Sequence, residues 1–192
     1  MSPARRALLV LLALAGVLST ATAQGSPAGD KLVFIVRHAE KASATDPDPS
    51  LSEAGRERAV ALAAALRDAR VSAILVTARK RTSETAAPLA SALELTMHVV
   101  PFGASTPEHA AAVAAAVRTA KGSAVLVVGH SNTVTAIIAA LGGPTMPDLC
   151  DAAYANLFIV RLPATGAPSL VRAQFGAPDR AEASSCAGMT VR

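Results

Sequence analysis

The chain has 192 residues, of which 52% are hydrophobic and 17% are charged. A length of this order suggests one domain, and the balance of apolar and charged residues argues against an intrinsically disordered chain. The net charge of +4 is modest, and Arg5 and Arg6 contribute part of it. Because the basic residues are scattered and aromatic residues make up only 3%, the composition does not suggest a nucleic-acid-binding protein.

Residues 1–23 have the pattern of a secretory signal peptide. A short basic segment ends at Arg6, and an unbroken apolar run extends over Ala7–Leu18. The small residues Ala21–Ala23 favour cleavage before Gln24. The apolar run is shorter than the ~20 residues that a membrane span needs. We therefore expect a periplasmic or secreted protein, with no stable membrane insertion after the signal is cleaved.

Export changes the interpretation of the two cysteines of the sequence, Cys150 and Cys186. In an oxidising compartment, an even pair predicts a disulfide between them. The alternative is two unrelated thiols. A zinc or redox site has little support because the two cysteines lack Cys-x-x-Cys spacing.

A short linker over residues 24–31 precedes a predicted domain at residues 32–192. Continuous apolar runs alternate with segments of helical spacing. Strands are predicted at residues 32–36, 73–77, 96–100, 124–128, 157–162 and 170–175, and helical spacing is seen within residues 62–69, 86–93, 110–117 and 134–141. The alternation predicts an α/β fold, a three-layer sandwich whose mainly parallel central sheet is covered by helices on both faces and ends in a hairpin.

Arginine and histidine side chains follow three of the predicted strands. Arg37 and His38 follow the first strand, Arg81 comes shortly after the second, and His130 follows the fourth. Because ligands of such sheets bind beyond the carboxyl ends of the strands, we expect these side chains to share one crevice. The arginine fork suits phosphate oxygens, and a neutral imidazole can act as a nucleophile. The set fits phosphoryl transfer without a metal ion or other cofactor.

Four short motifs occur in the segments Val36–Glu40, Leu51–Ala59, Arg81–Ala86 and Val127–Ser131. They carry Arg-His followed by a small residue, Leu-Ser-x-x-Gly, Arg-Thr-x-x-Thr-Ala and Gly-His-Ser. Together and in this order, they resemble the histidine phosphatase superfamily, which includes the cofactor-dependent phosphoglycerate mutases. Ala39 stands where the family usually has glycine, and we expect no loss of activity because a methyl group is small.

The resemblance implies a phosphatase that hydrolyses phosphate monoesters through a phosphohistidine at His38. It implies that Arg37, Arg81 and His130 hold the phosphoryl group, and we expect Ser131 to help bind the substrate. The expected partner is a small phosphorylated molecule or an exposed phosphorylated group.

The acid that protonates the leaving group is not fixed by these motifs. After the third strand, Thr106 is the predicted capping residue of a helix with Pro107 at its first position. Glu108, in the first turn of that helix, is the first candidate for this role. An acidic residue at that position also stabilises the helix dipole, which is the alternative interpretation. Glu40 and His109 are the next candidates, in that order.

Other charged and aromatic residues have simpler explanations. Arg79 and Lys80 are interpreted as steering anions to the crevice mouth. His98 is expected to be structural, and Tyr154 and Phe175 are expected to be core residues.

Three other functions remain as alternatives. A non-catalytic phosphate- or phosphoprotein-binding module would keep the arginines but would not need both histidines. A phosphoglycerate mutase-type enzyme needs a lid over its intermediate, and the loop over residues 41–50 is short. A serine esterase with its elbow at Ser131 needs a later histidine, and no histidine follows His130.

Overall fold

A computed structural model describes residues 29–179. The strands are β1 (Lys31–Arg37), β2 (Ala73–Val76), β3 (Met97–Val99), β4 (Ala124–Gly129), β5 (Asn156–Leu162) and β6 (Ser169–Gln174). The helices are α1 (Glu53–Leu66), α2 (Lys80–Ala92), α3 (Thr106–Thr119) and α4 (Val134–Ala140). The predicted signal peptide and Cys186 lie outside the described residues, so cleavage and the Cys150–Cys186 disulfide stay predictions.

The six strands form one sheet in the order β3-β2-β4-β1-β5-β6. β4 is parallel to both β1 and β2, and β2 is parallel to β3. Strands β5 and β6 are antiparallel additions, which confirms the predicted hairpin. Val128 is paired with both Val36 and Val76, so the carboxyl ends of β1, β2 and β4 lie side by side.

Helices cover both faces of the sheet, as predicted. Along β1, Val33 and Ile35 pack into one core, which also holds Val113 of α3 and Ile137 of α4. The alternating residues Phe34 and Val36 pack into a second core. That second core also contains Leu62 of α1 and Leu89 of α2. Two covered faces explain why the central strands are apolar throughout rather than alternating with polar residues.

Hydroxyl side chains cap the helices on either side of the site. The side chain of Ser52 accepts a hydrogen bond from the backbone N–H of Gly55 at the start of α1. Helix α3 begins one residue earlier than its sequence pattern indicates, because Ser105 rather than Thr106 is the capping residue and accepts from Glu108 N. Within residues 29–179, no helix combines the length and apolar character that crossing a bilayer requires.

Gly55, the glycine of the second motif, lets α1 approach the loop that follows β1. A methyl group built at Gly55 would overlap the carbonyl oxygen of Glu40. A side chain there would push α1 away from that loop. The motif glycine therefore has a packing role that fixes the segment next to His38.

Candidate active site

A crevice of about 320 Å³ lies at the carboxyl ends of the parallel strands. Its lining residues are Arg37, His38, Lys41, Arg79, Arg81, Phe102, His130, Ser131, Asn132 and Asp151. The structure thus brings together Arg37, His38, Arg81 and His130, which follow three different strands in the sequence. Ser131 lies in the same crevice.

His38 is buried at the floor of the crevice, directly after β1. Its backbone N–H donates to the carbonyl oxygen of Gly129 over 2.9 Å, which ties the ends of β1 and β4 together. Its Nδ1 lies 2.8 Å from the carbonyl oxygen of Ala39. Because a carbonyl only accepts, Nδ1 carries the proton and Nε2 keeps its lone pair. The tautomer is therefore the one in which Nε2 is available as a nucleophile.

His130 is held in a defined orientation by two threonines. Its Nε2 lies 2.9 Å from Oγ1 of Thr77, and that hydroxyl lies 3.1 Å from Oγ1 of Thr82. The hydroxyl of Thr82 donates to backbone carbonyls, so Thr77 donates to Thr82 and accepts from Nε2–H of His130. The other nitrogen, Nδ1, lies 3.4 Å from Nη2 of Arg81.

Arg37 is fixed by the segment that precedes β5. Its Nη1 donates to the carbonyl oxygens of Cys150 and Asp151, each over 2.8 Å. Its Nη2 lies 3.2 Å from Oδ1 of Asp151. The guanidinium carbon lies 4.2 Å from the centre of the Tyr154 ring, a cation–π arrangement.

Two of the arginine side chains that line the crevice, Arg37 and Arg81, each keep one unused donor. Nε of Arg37 and Nε of Arg81 are buried and have no hydrogen-bond partner among residues 29–179. Nη1 of Arg81 lies 3.7 Å from Oδ1 of Asp48. Because an unpaired buried donor is costly, two such donors in one crevice favour an anionic ligand that accepts from them.

Both crevice histidines are neutral at physiological pH. Burial lowers the pKa of His38 from 6.5 to about 3, and the charge of Arg37 acts in the same direction. Burial, followed by the charge of Arg81, lowers the pKa of His130 to about 3. The two rings lie edge to face, with centroids 5.3 Å apart. The crevice therefore offers unprotonated imidazoles among positive charges.

We expect the imidazole resonances of His38 and His130 to stay unchanged as the pH falls from 8 to 5, because both pKa values lie near 3. NMR of the purified protein checks this. The unfolded chain takes up these protons near pH ~6.5, so the folded state should lose stability as the pH falls below that value. A midpoint near 6.5 for either ring would contradict the burial argument.

The three candidate acids lie in different surroundings. Glu108 is exposed, and its Oε2 accepts from the backbone N–H of Ala104 over 2.7 Å. Glu40 forms a salt bridge of 2.8 Å with the buried Arg58. His109 is fully buried, with its ring stacked on Phe102 at 4.5 Å. None of the three candidates is among the residues that line the crevice.

Two residues near the crevice were not singled out for it by sequence analysis. Asp151 has a side chain that is 95% exposed and contacts Arg37. Tyr154, expected in the core, is only partly buried and stacks on the Arg37 guanidinium. Phe175 is buried, as expected of a core residue. His98, which was expected to be a structural residue, is exposed on β3.

Within residues 29–179, no three histidine, cysteine, aspartate or glutamate side chains are grouped to hold a metal ion.

Comparison with known proteins agrees with the family resemblance. The model of the histidine phosphatase superfamily (branch 1) matches residues 33–102. This match confirms the resemblance for the segment that contains the first three motifs, whereas His130 lies beyond it. No curated protein matches the chain in sequence.

Solved structures share the fold at low sequence identity. The protein histidine phosphatase SixA in complex with tungstate is 20% identical, with a TM-score of 0.58, and the match covers 74% of this chain and 96% of that one. A mycobacterial glucosyl-3-phosphoglycerate phosphatase is 18% identical, with a TM-score of 0.55 and coverages of 69% and 90%. Mycobacterial hydrolase 2 is 17% identical, with a TM-score of 0.58 and coverages of 84% and 99%.

Proposed function

We propose that this chain, which shares a fold with these proteins, is a phosphatase that hydrolyses phosphate monoesters through a phosphohistidine on His38. The observation that carries the proposal is the content of one crevice: two neutral histidines and two arginines with unpaired buried Nε donors. Two structural neighbours, the protein histidine phosphatase SixA and the mycobacterial glucosyl-3-phosphoglycerate phosphatase, are phosphatases by name. Metal-independent chemistry is part of the proposal.

The first step transfers the phosphoryl group to the protein. The lone pair on Nε2 of His38 forms a bond to phosphorus while the bond from phosphorus to the ester oxygen breaks. The electron pair of that bond stays on the leaving oxygen, which takes a proton from an acid. Arg37 and Arg81 neutralise the charge on the oxygens of the transferring group.

The second step releases inorganic phosphate. A water molecule attacks phosphorus, the bond to Nε2 breaks, and its electron pair returns to the imidazole. The proton of the water passes to the group that gave one in the first step. His38 ends in its original form.

The phosphohistidine proposal is tested with the purified protein and an aryl phosphate. We expect hydrolysis that persists in EDTA, and rapid quenching should trap phosphate that is labile in acid and stable in base. Binding of inorganic phosphate without hydrolysis would instead identify a binding module. Transfer of the phosphoryl group to a second substrate, rather than to water, would identify a mutase.

For the leaving-group proton, we propose Asp151 ahead of Glu108. Asp151 lines the crevice, whereas the Glu108 carboxylate is engaged by the backbone at the start of α3. A general acid matters most when the leaving group is poor. Rates of hydrolysis of an alkyl and an aryl phosphate, measured in variants of each carboxylate, therefore show which of the two is the general acid.

Asp151→Asn is expected to slow hydrolysis of an alkyl phosphate by ~10²–10⁴, the usual range for loss of a general acid. Hydrolysis of an aryl phosphate with a good leaving group should fall far less. Steady-state kcat/KM for glycerol 3-phosphate and p-nitrophenyl phosphate gives both values. The same selective loss in Glu108→Gln, and not in Asp151→Asn, would return the role to Glu108.

We further propose that the enzyme acts in the periplasm or outside the cell, on the basis of the signal-peptide pattern at residues 1–23. In that compartment, Cys150 and Cys186 would be joined in a disulfide. Cys150 immediately precedes Asp151 and supplies a carbonyl oxygen to Arg37, so this link would join the C-terminal segment to the loop that fixes Arg37.

A further inference from the structure

Phe102, in the loop between β3 and α3, lines the catalytic crevice and has 45% of its surface exposed. Its ring lies 5.3 Å, centroid to centroid, from the imidazole of His130, with the two planes inclined at 35°. It is also stacked on the fully buried imidazole of His109, at 4.5 Å and 29°. Phe102 therefore contacts both a ring of the crevice and a buried ring of helix α3.

His109 is a buried polar residue that the proposed mechanism does not use. Its Nδ1 lies 3.1 Å from the carbonyl oxygen of Pro101, which only accepts, so Nδ1 carries the proton. Its Nε2 is buried and has no hydrogen-bond partner among residues 29–179. An unpaired buried acceptor costs stability, so packing alone would favour an apolar residue here. What His109 supplies is a ring against Phe102 and a donor to the residue before it.

The first turn of α3 holds the same loop on the other side of Phe102. Oε2 of Glu108 accepts a hydrogen bond of 2.7 Å from the backbone N–H of Ala104. Gly103 lies so close to α3 that a methyl group built on it would overlap the side chain of Glu108. The loop is therefore tied to α3 both before and after Phe102.

We propose that Phe102 is a positioning residue for the phosphatase reaction, which packs against the ring of His130 and keeps that ring oriented toward the phosphoryl group. Glu108 and His109 support the Phe102 loop, and they act on His130 only through Phe102. The proposal rests on the phosphatase function argued above, in which His130 helps to hold the phosphoryl group. It gives two candidate acids of the sequence analysis a role that needs no proton transfer.

The hydrogen bonds of the His130 ring do not by themselves fix its tilt. Nε2 is bonded to Thr77, and Nδ1 lies 3.4 Å from Nη2 of Arg81. Both contacts lie near the plane of the imidazole, because its nitrogen lone pair and its N–H group point outward in that plane. They leave the ring free to tilt about the line that joins them. The neighbouring ring of Phe102 restricts this tilt and excludes water from that side.

The protonation of His130 reports whether Phe102 shields it. Burial is the largest cause of the low pKa of His130, about 3. The other groups that lower this pKa are Arg81, His109, Arg37 and Arg79. The ring of His38 also faces His130, edge to face. When the Phe102 side chain is removed, these groups stay in place and water reaches the imidazole, so the pKa of His130 should rise toward its ordinary value.

The central test is Phe102→Ala, which removes a partly exposed side chain and should leave the protein folded. We expect kcat/KM for p-nitrophenyl phosphate to fall about 10-fold, less than for loss of a group that contacts the phosphate. NMR titration should show the pKa of His130 raised by about one unit or more. Phe102→Tyr keeps the ring and should restore both values. Val99→Ala removes an exposed apolar side chain of β3 outside the crevice lining and should change neither.

The role of Glu108 is tested with two variants that both remove its charge. Glu108→Ala also removes the acceptor for Ala104 N, whereas Glu108→Gln keeps an oxygen that accepts. Only Glu108→Ala should lower kcat/KM and raise the pKa of His130. In the Phe102→Ala background, Glu108→Ala should change neither value further, because a support that acts through Phe102 has no effect without it. Additive effects of the two substitutions would overturn this part of the proposal.

His109→Leu removes the ring and the donor of the second support while it keeps the site apolar. It should lower kcat/KM in the wild-type background and should not lower it further in the Phe102→Ala background, by the same reasoning. A loss of equal size in both backgrounds would show that His109 does not act through Phe102, and would overturn its assigned role.

The two readouts separate this proposal from the phosphatase function on which it rests. Failure of the wild-type protein to hydrolyse any phosphate ester would contradict the phosphatase function, while NMR titration would still test the contact between Phe102 and His130. Wild-type hydrolysis with unchanged kcat/KM in Phe102→Ala would overturn only the positioning role. A loss of activity in Phe102→Ala without any change in the titration of His130 would overturn it as well, because Phe102 would then not act through that ring.

Discussion

His38→Ala is expected to abolish hydrolysis of phosphate monoesters, with a fall in kcat on the order of 10⁴- to 10⁶-fold, the range seen when a covalent catalytic unit loses a member. Nε2 of His38 is the atom that forms the new bond to phosphorus, and no other group in the crevice has its position. His130 is neutral as well, but its Nε2 is engaged by Thr77. Aryl phosphate assays at substrate saturation measure the loss.

Two further measurements separate loss of the nucleophile from loss of structure. His98→Ala removes an exposed histidine of β3 outside the crevice and should keep full activity. Quenched His130→Ala should still carry acid-labile phosphate on His38, whereas His38→Ala should carry none. Turnover near the wild-type rate in a folded His38→Ala variant would contradict the phosphohistidine mechanism.

The convergence of His38, Arg81 and His130 could be predicted because it depends on topology alone. Apolar strands covered on both faces indicate a parallel sheet, and the carboxyl ends of such strands meet at one edge. In the structure, Val128 pairs with both Val36 and Val76, so the carboxyl ends of β1, β2 and β4 lie side by side. Knowledge of the strand ends was therefore enough to bring together residues that are far apart in the sequence.

The surroundings of Arg37 could not be predicted in this way. Asp151 and Tyr154 reach it from a segment more than 100 residues away in the sequence, and that segment has no regular secondary structure at the contact. Loop conformation depends on tertiary contacts that no periodic pattern records. The same reason explains why Glu108 resembled a catalytic acid in the sequence, although its side chain contacts the backbone at the start of α3.

Arg81→Ala should lower kcat/KM for phosphate esters by ~10²–10³, the usual effect of removing one donor that stabilises transition-state charge. The side chain of Arg81 is only 17% exposed and its Nε has no partner among residues 29–179, so its fork is available for phosphate oxygens. Arg81→Lys should recover little of the loss, because an ammonium group cannot reproduce the planar fork. Lys80→Ala, which removes the neighbouring exposed charge, should cost far less.

A second readout distinguishes a charge effect of Arg81 from a structural one. After burial, Arg81 is the largest influence that lowers the pKa of His130. Removing its charge should therefore raise the pKa of His130, while Arg81→Lys, which keeps a positive charge, should raise it less. NMR titration of the His130 ring follows this change without any substrate. Full kcat/KM in Arg81→Ala, together with an unchanged His130 titration, would show that Arg81 does not face the phosphoryl group.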